Sequence, residues 1–206
     1  MNKIVKATVC TVLALFVIIG ASSGTVYALT SYTVQRGDTL WKIANNHRVG
    51  LSEIKEANPK IKNYDLIYPG QTVMIPSVDG QSSSFESEVV RLVNVERARY
   101  GIAPLTQDWQ LSRVARYKSQ DMSSKGYFSH TSPTYGSPFE MMRSFGISYR
   151  TAGENIARGY ATPAAVVAAW MSSPGHRANI LNAGFTYIGV GYISSGNHWT
   201  QMFISK

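Results

Sequence analysis

The chain has 206 residues, 44% hydrophobic and only 16% charged, with a formal net charge of +8. That balance excludes a disordered chain, and the length suits one ordinary domain plus a small module. The positive charge is spread out, with no dense Lys/Arg run and no nucleic-acid motif; it fits a polyanionic surface such as a teichoic-acid-bearing wall, or a surface that merely keeps the protein soluble.

Lys3 and Lys6 precede an apolar run from Ala7 to Ile19, and small residues then lead to Val26-Tyr27-Ala28. A basic start, a run of that length and a small-residue exit predict a secretory signal peptide over residues 1–28, cleaved after Ala28. The run is shorter than the ~20 residues of a membrane span. Cleavage removes Lys3 and Lys6, which takes the charge from +8 to +6. Cys10, the one cysteine, lies inside the run. The mature chain then has no disulfide and no thiol nucleophile, so its fold must rest on its core. An exported chain without cysteine points to a bacterial cell.

A first module is expected over residues 31–76. Tyr32-Thr33-Val34-Gln35 alternates like a short strand. Arg36-Gly37-Asp38 is a turn, with Asp38 placed to cap a helix starting at Thr39. Leu40, Ile43 and Ala44 give that helix its apolar face, and Gly50 closes it. Ser52 is placed to cap a second helix, which Asn58-Pro59 ends. Thr72-Val73-Met74-Ile75-Pro76 reads as a closing strand. This βααβ order carries Tyr-Thr-Val-Gln-Arg-Gly-Asp-Thr-Leu-Trp, Leu-Ser-Glu-Ile-Lys-Glu-Ala-Asn-Pro and Ile-Tyr-Pro-Gly-Gln-Thr-Val-Met-Ile-Pro, and on those residues the module closely resembles a LysM domain. The resemblance implies binding of N-acetylglucosamine polymers, meaning peptidoglycan or chitin. It implies a groove between two loops, with Gly37, Asp38, Thr39 and Leu40 on one, Asn58 and Ile61 on the other, and Leu66 nearby. Asp38 also serves as a helix cap and Leu40 as core, so several of these residues are expected to act in both fold and groove.

Residues 77–84, rich in Ser, Gly and Gln, read as a flexible linker. Residues 85–206 read as the second domain. Phe85, Val89, Leu92 and Val93 mark a helix ending at Gly101, and Leu111, Val114, Ala115 and Met122 a second ending near Gly126. Ser137-Pro138-Phe139-Glu140 is a capping box with proline at the first helical position. Thr162-Pro163 opens a helix that buries Val166, Val167, Trp170 and Met171 and stops at Ser173-Pro174-Gly175. The period then changes, and residues 187–193 and 198–204 read as a hairpin around Ser194-Ser195-Gly196-Asn197. Helices first and a sheet last make the fold class α+β.

Three residues in this domain concentrate the chemistry: His130, Glu154 and His176, each read as lying in a turn marked by Gly, Ser or Pro. Two imidazoles and a carboxylate could form a metal site or an acid/base site. Taken singly, each could instead serve turn or cap structure. The segments around His130-Thr-Ser-Pro, Gly153-Glu154-Asn155-Ile156-Ala157, Ala169-Trp170-Met171, Gly175-His176-Arg177 and Ile188-Gly189-Val190-Gly191 together resemble the CAP (SCP) superfamily of cysteine-rich secretory proteins, in its disulfide-free bacterial branch. The resemblance implies an α-β-α sandwich with a surface cleft. In many eukaryotic members that cleft carries two His and two Glu and can hold a divalent metal. His130, Glu154 and His176 occupy three of those positions; Ser172 and Ser173 stand where the second Glu would fall. His130 and His176 could still hold a metal such as zinc, with water or substrate completing the coordination. Ser129 or Ser173 beside a histidine permits a serine-hydrolase reading, but there is no G-x-S-x-G elbow. The preferred expectation is a secreted binding protein, held on peptidoglycan or a spore envelope by LysM, whose CAP cleft meets a wall component, lipid or protein. The alternative is a wall hydrolase or metal-dependent enzyme acting through that cleft.

Overall fold

A computed structural model describes residues 28–77 and 80–206. Residues 1–27 of the expected signal peptide lie outside the described residues. None of the described helices is long and apolar enough to cross a membrane. The described residues divide into two compact units, 28–77 and 80–206.

The first unit pairs β1 (Ala28–Thr33) with β2 (Thr72–Ser77) antiparallel and sets α1 (Leu40–Asn46) and α2 (Leu51–Ala57) between them in sequence. The strand starts three residues before the expected module, because Ala28, Leu29 and Thr30 find partners in Ser77, Pro76 and Ile75. The core is small: Val34, Leu40, Ile43, Ala44, Ile54, Val73 and Ile75. Both expected caps move. Thr39, not Asp38, caps α1, accepting from Lys42 N at 3.1 Å. Asp38 instead closes the preceding turn, accepting from Gln35 N at 2.7 Å and Tyr32 Oη at 2.8 Å. Gly50 rather than Ser52 precedes α2, and it makes no side-chain cap.

The second unit is a three-layer α-β-α sandwich. Its helices are α3 (Gly80–Arg99), α4 (Trp109–Lys125), α5 (Pro138–Ser144), α6 (Pro163–Ser172) and α7 (Pro174–Ile180). Its strands are β3 (Thr106–Gln107), β4 (Thr151–Arg158), β5 (Tyr187–Ile193) and β6 (His198–Ser205), in the order β3-β5-β6-β4. All neighbours are antiparallel except β3 and β5. The predicted hairpin is β5–β6. The strand holding Glu154 is not visible as an alternating pattern, because residues 153–157 are all buried and the second face is covered by helices.

Alternation along β6 divides the core. Trp199 and Phe203 face the layer of α3, α6 and α7 with Val89, Val93, Val166, Trp170 and Ile180. Met202 and Ile204 face α4 and α5 with Leu111, Val114, Met141 and Met142. Gly189 and Gly191 let α4 lie directly on β5: a Cβ at Gly191 would sit 2.1 Å from Arg116 N, and one at Gly189 2.3 Å from the Leu111 carbonyl carbon. Arg97, fully buried, donates to the carbonyls of Ala103, Ile180, Asn182 and Phe185 and ties the end of α3 to the entry of β5. The capping box at Ser137 forms as predicted. The linker does not extend to residue 84. Residues 80–84 form the first turn of α3, because a helix anchored by buried Glu86, Val89 and Val93 propagates through Ser82-Ser83-Ser84 despite their weak preference for it.

Candidate functional site

In the first unit the seven expected groove residues separate into two sets. Gly37 and Thr39 are exposed beside Asp38, and Leu66 is half exposed, so these can meet a ligand. Gly37 takes φ 89°, a backbone conformation open to glycine, and its carbonyl holds the Lys42 ammonium at 2.8 Å. Ile61 is partly buried against the core. Leu40 and Asn58 are inside the fold. The Asn58 amide donates to Ile54 O and Met74 O and accepts from Met74 N, each at 2.7 Å, which stitches α2 to β2. Only backbone atoms of Asn58 remain to face a glycan.

In the second unit three elements carry the expected cleft residues, and two of them, His130 and Glu154, meet directly. His130 lies in the loop after α4, Glu154 in the middle of β4, and His176 within α7, so of the three only His130 is in a turn. His130 Nδ1 and Glu154 Oε1 are 2.7 Å apart. The Glu154 side chain is 1% exposed and that of His130 is 53% exposed. Burial pushes the Glu154 carboxyl up, partly opposed by the His130 hydrogen bond and the Lys118 charge. Its second oxygen, Oε2, has no hydrogen-bond partner among the described residues. Burial pushes the His176 imidazole down, and the His130 charge pushes the same way. The arrangement is a solvent-facing imidazole oriented by a buried carboxyl group, with His176 on the adjoining helix α7.

The loop that presents His130 is held from below by residues that the sequence reading did not single out. Lys118, fully buried on α4, donates to His130 O at 2.7 Å. Burial lowers its pKa, while the Glu154 and Asp121 charges raise it. Asp121 accepts from Tyr127 Oη, Ser132 Oγ and Thr134 Oγ1, each at 2.6 Å. Burial pulls its pKa upward, but these hydrogen bonds outweigh that and hold it below the ordinary value. A signal for Lys118 exists in the sequence: it falls in register with Leu111, Val114, Ala115 and Met122 on the buried stripe of α4, where a lysine needs a reason. Behind β4, Asn155 donates to His176 O at 3.1 Å and to Gln201 Oε1 at 2.9 Å, and Asn179 donates to Glu154 O at 3.2 Å. These bonds tie α7, and with it His176, to the strand of Glu154.

The residues present do not fit a resident metal. Among the described residues no three His, Cys, Asp or Glu side chains are grouped to share an ion. His130 keeps Nε2 open, its Nδ1 being held by Glu154, but Ser172 directs its hydroxyl back to Ala168 O at 2.9 Å and supplies no ligand. The expected zinc set of His130 and His176 therefore lacks a third protein ligand. Ser129 is equally occupied: its hydroxyl oxygen accepts from Thr131 N at 3.2 Å.

The LysM domain model matches residues 32–76, and the model of the cysteine-rich secretory protein family (CAP) matches residues 90–204. The uncharacterized protein YkwD of Bacillus subtilis (strain 168) is 62% identical over 130 residues, which cover 63% of this chain and 51% of YkwD. The uncharacterized membrane protein YlbC of the same strain is 34% identical over 152 residues, 71% of this chain and 43% of YlbC. The chain thus spans about half the length of these relatives. An extracellular protein containing an SCP domain from Bacillus anthracis str. Ames has a crystal structure that covers 67% of this chain and 47% of its own, at 34% identity and a TM-score of 0.59. With the CAP match extending over more than half its length, the chain belongs to the cysteine-rich secretory protein family, its CAP domain following a LysM domain in one polypeptide.

Proposed function

We propose that the protein is an exported, wall-associated binding protein: the LysM unit holds an N-acetylglucosamine polymer of peptidoglycan, and the CAP unit presents the His130–Glu154–His176 site to a second wall component. The LysM match over the whole first unit carries this reading, together with the exposure of the Gly37–Thr39 turn and Leu66 on its surface. One LysM domain makes a weak contact, so attachment to a polymer gains from long glycans or from a second contact. The test is sedimentation of the chain from residue 29 onward with purified peptidoglycan. Most of the protein is expected in the pellet, and deletion of residues 31–76 is expected to leave it in the supernatant. A pellet unchanged by that deletion removes LysM as the anchor.

One observation supports a second reading, hydrolysis of a wall peptide or glycan. The 2.7 Å contact between His130 and a buried Glu154 leaves His130 Nε2 facing solvent as an oriented proton acceptor. In that reading His130 moves the proton and Glu154, too buried to touch substrate, orients it. Digestion of labelled peptidoglycan decides between the two. Product from the wild type that falls at least about 100-fold in His130→Ala establishes catalysis; equal, negligible product from both leaves binding.

A further inference from the structure

The CAP unit has a second concave surface away from His130. A groove of about 500 Å³ is lined by Gln110, Ile147, Ser148, Tyr149, Arg150 and Lys206. An adjoining hollow of about 330 Å³ shares Gly146, Ile147, Ser148 and Tyr149 and adds Arg143. Gln110 precedes Lys118 by eight residues on α4, so about 12 Å of helix separates the groove from the support of His130.

Its charged side chains are cations, and its neutral polar groups can donate. Arg143 donates to Tyr149 Oη at 2.8 Å, and that hydroxyl donates to Phe139 O at 3.2 Å, which fixes the ring. Arg150 N donates to Ser205 O at 2.8 Å, and Thr151 bonds Ser205 as well, so the loop is tied to the end of β6. Lys206 is paired with Asp108 at 2.7 Å and lies over the Tyr187 ring; Arg143 has Glu140 one turn back. The Arg150 guanidinium, the Ser148 hydroxyl and the Gln110 amide are exposed and have no side-chain partner among the described residues; no Asp or Glu is among the residues lining either hollow, and Asp108, on that side, is taken up by Lys206.

A fixed wall with a free guanidinium fork, two neutral donors and further cations behind it matches an oxyanion that accepts on several sides. The volume is that of a small-ligand site rather than of a single ion. We propose that this groove binds a phosphate ester carried on a polymer or glycan, with Arg150 as its main contact. The proposal stands on the CAP unit and does not depend on the LysM reading.

The experiment titrates the chain from residue 29 onward with a short poly(glycerol phosphate), with inorganic phosphate and with poly-glutamate of matched charge, following amide NMR signals. Poly(glycerol phosphate) is expected to shift Gly146 through Arg150. Arg150→Gln is expected to weaken it about 10-fold, while Arg91→Gln, which removes the same charge from the exposed face of α3, leaves it unchanged. The same shifts with inorganic phosphate at higher concentration support phosphate as the recognised group. Poly-glutamate binding as tightly, Arg150→Gln binding as well as wild type, or no shift at these amides overturns the proposal.

Discussion

The two units support their sites in opposite ways. In the LysM unit the expected ligand surface and the fold are made by the same short loops: Asp38 closes a turn with Gln35 three residues away, and the Asn58 side chain joins a helix to a strand while its loop faces the groove. In the CAP unit the site is carried by a frame. Its residues sit on a loop, a central stretch of strand and a helix, spread over the 47 residues from His130 to His176, and are positioned by the locking of α4, β4 and α7 to one sheet. A site made of local turns is exposed to any change in those turns. A site on a frame tolerates local change and fails when the layers separate.

That difference is broken most severely at Gly191. A side chain there meets the α4 backbone at 2.1 Å, and backbone cannot move aside as a flexible side chain can. Gly191→Val is expected to cost the CAP unit about 3 kcal/mol or more. In denaturant unfolding the CAP transition should move to lower concentration while that of the LysM unit stays in place. A single shared shift would show that the two units unfold as one. The complementary change is Asn58→Ala, which removes one buried and two partly buried hydrogen bonds and leaves Ile54 O and Met74 N and O without them. About 2–4 kcal/mol is expected, a large share of what so small a core supplies. Peptidoglycan sedimentation should be lost with it, and the CAP transition should not move.

The same contrast governs what could be read from the sequence. The βααβ unit was legible almost residue by residue, because its signals are local: a turn at Gly37, apolar spacing at Leu40, Ile43 and Ala44, a break at Asn58-Pro59. What slipped was which of two adjacent residues caps α1, since Asp38 and Thr39 both can and the nearby Tyr32 hydroxyl decides for Asp38 as turn closer. In the CAP unit α3, α4, α5 and α6, the capping box and the last hairpin were legible, and β3 and β4 were not. A strand covered on both faces has no alternation, and Gly153-Glu154-Asn155 carries turn residues that tertiary contacts override. The linker was read too long for a related reason, since serine composition says nothing of the packed helix beyond it. His130, Glu154 and His176 were named as a set, but their geometry required the fold. The Lys118 support beneath them joins residues 118 and 130 only once α4 is laid on β5.

A smaller effect sharpens the comparison inside the CAP unit itself. Asp121 accepts three hydroxyl hydrogen bonds and lies beside Lys125, which together hold its folded pKa below 3.8. A carboxylate with a depressed pKa contributes stability that is present above its unfolded value and lost as pH falls through the folded one. Asp121→Asn keeps the shape and removes the charge, and is expected to cost about 1–2 kcal/mol at neutral pH. The cost should shrink below pH 3.8. NMR signals of residues 127–135 should broaden as the loop loosens, and the His130 contact with Glu154 should weaken with them.

Glu154 is shifted the other way and gives the finest test. Its folded pKa is raised above 4.5, chiefly by burial, so its favourable contribution is fully present below about 4.5 and is lost as pH rises through the folded value. At neutral pH the buried charge is therefore a cost, one that a site maintains only for what the charge does to His130. Glu154→Gln keeps an acceptor for His130 Nδ1 and removes the charge. The variant is expected to be as stable as the wild type or up to about 1 kcal/mol more stable at pH 7, the difference vanishing as pH falls below 4.5. It should also lower whatever binding or turnover His130 supports, because a neutral amide holds the ring at Nδ1 more weakly than a carboxylate does. Paired urea melts at pH 4 and pH 7 read the first effect, and ligand or product assays on the same samples read the second. A variant clearly less stable at pH 7 would mean that attraction to Lys118 and His130 exceeds the cost of burial, and that Glu154 belongs with Asp121 to the frame rather than to the site.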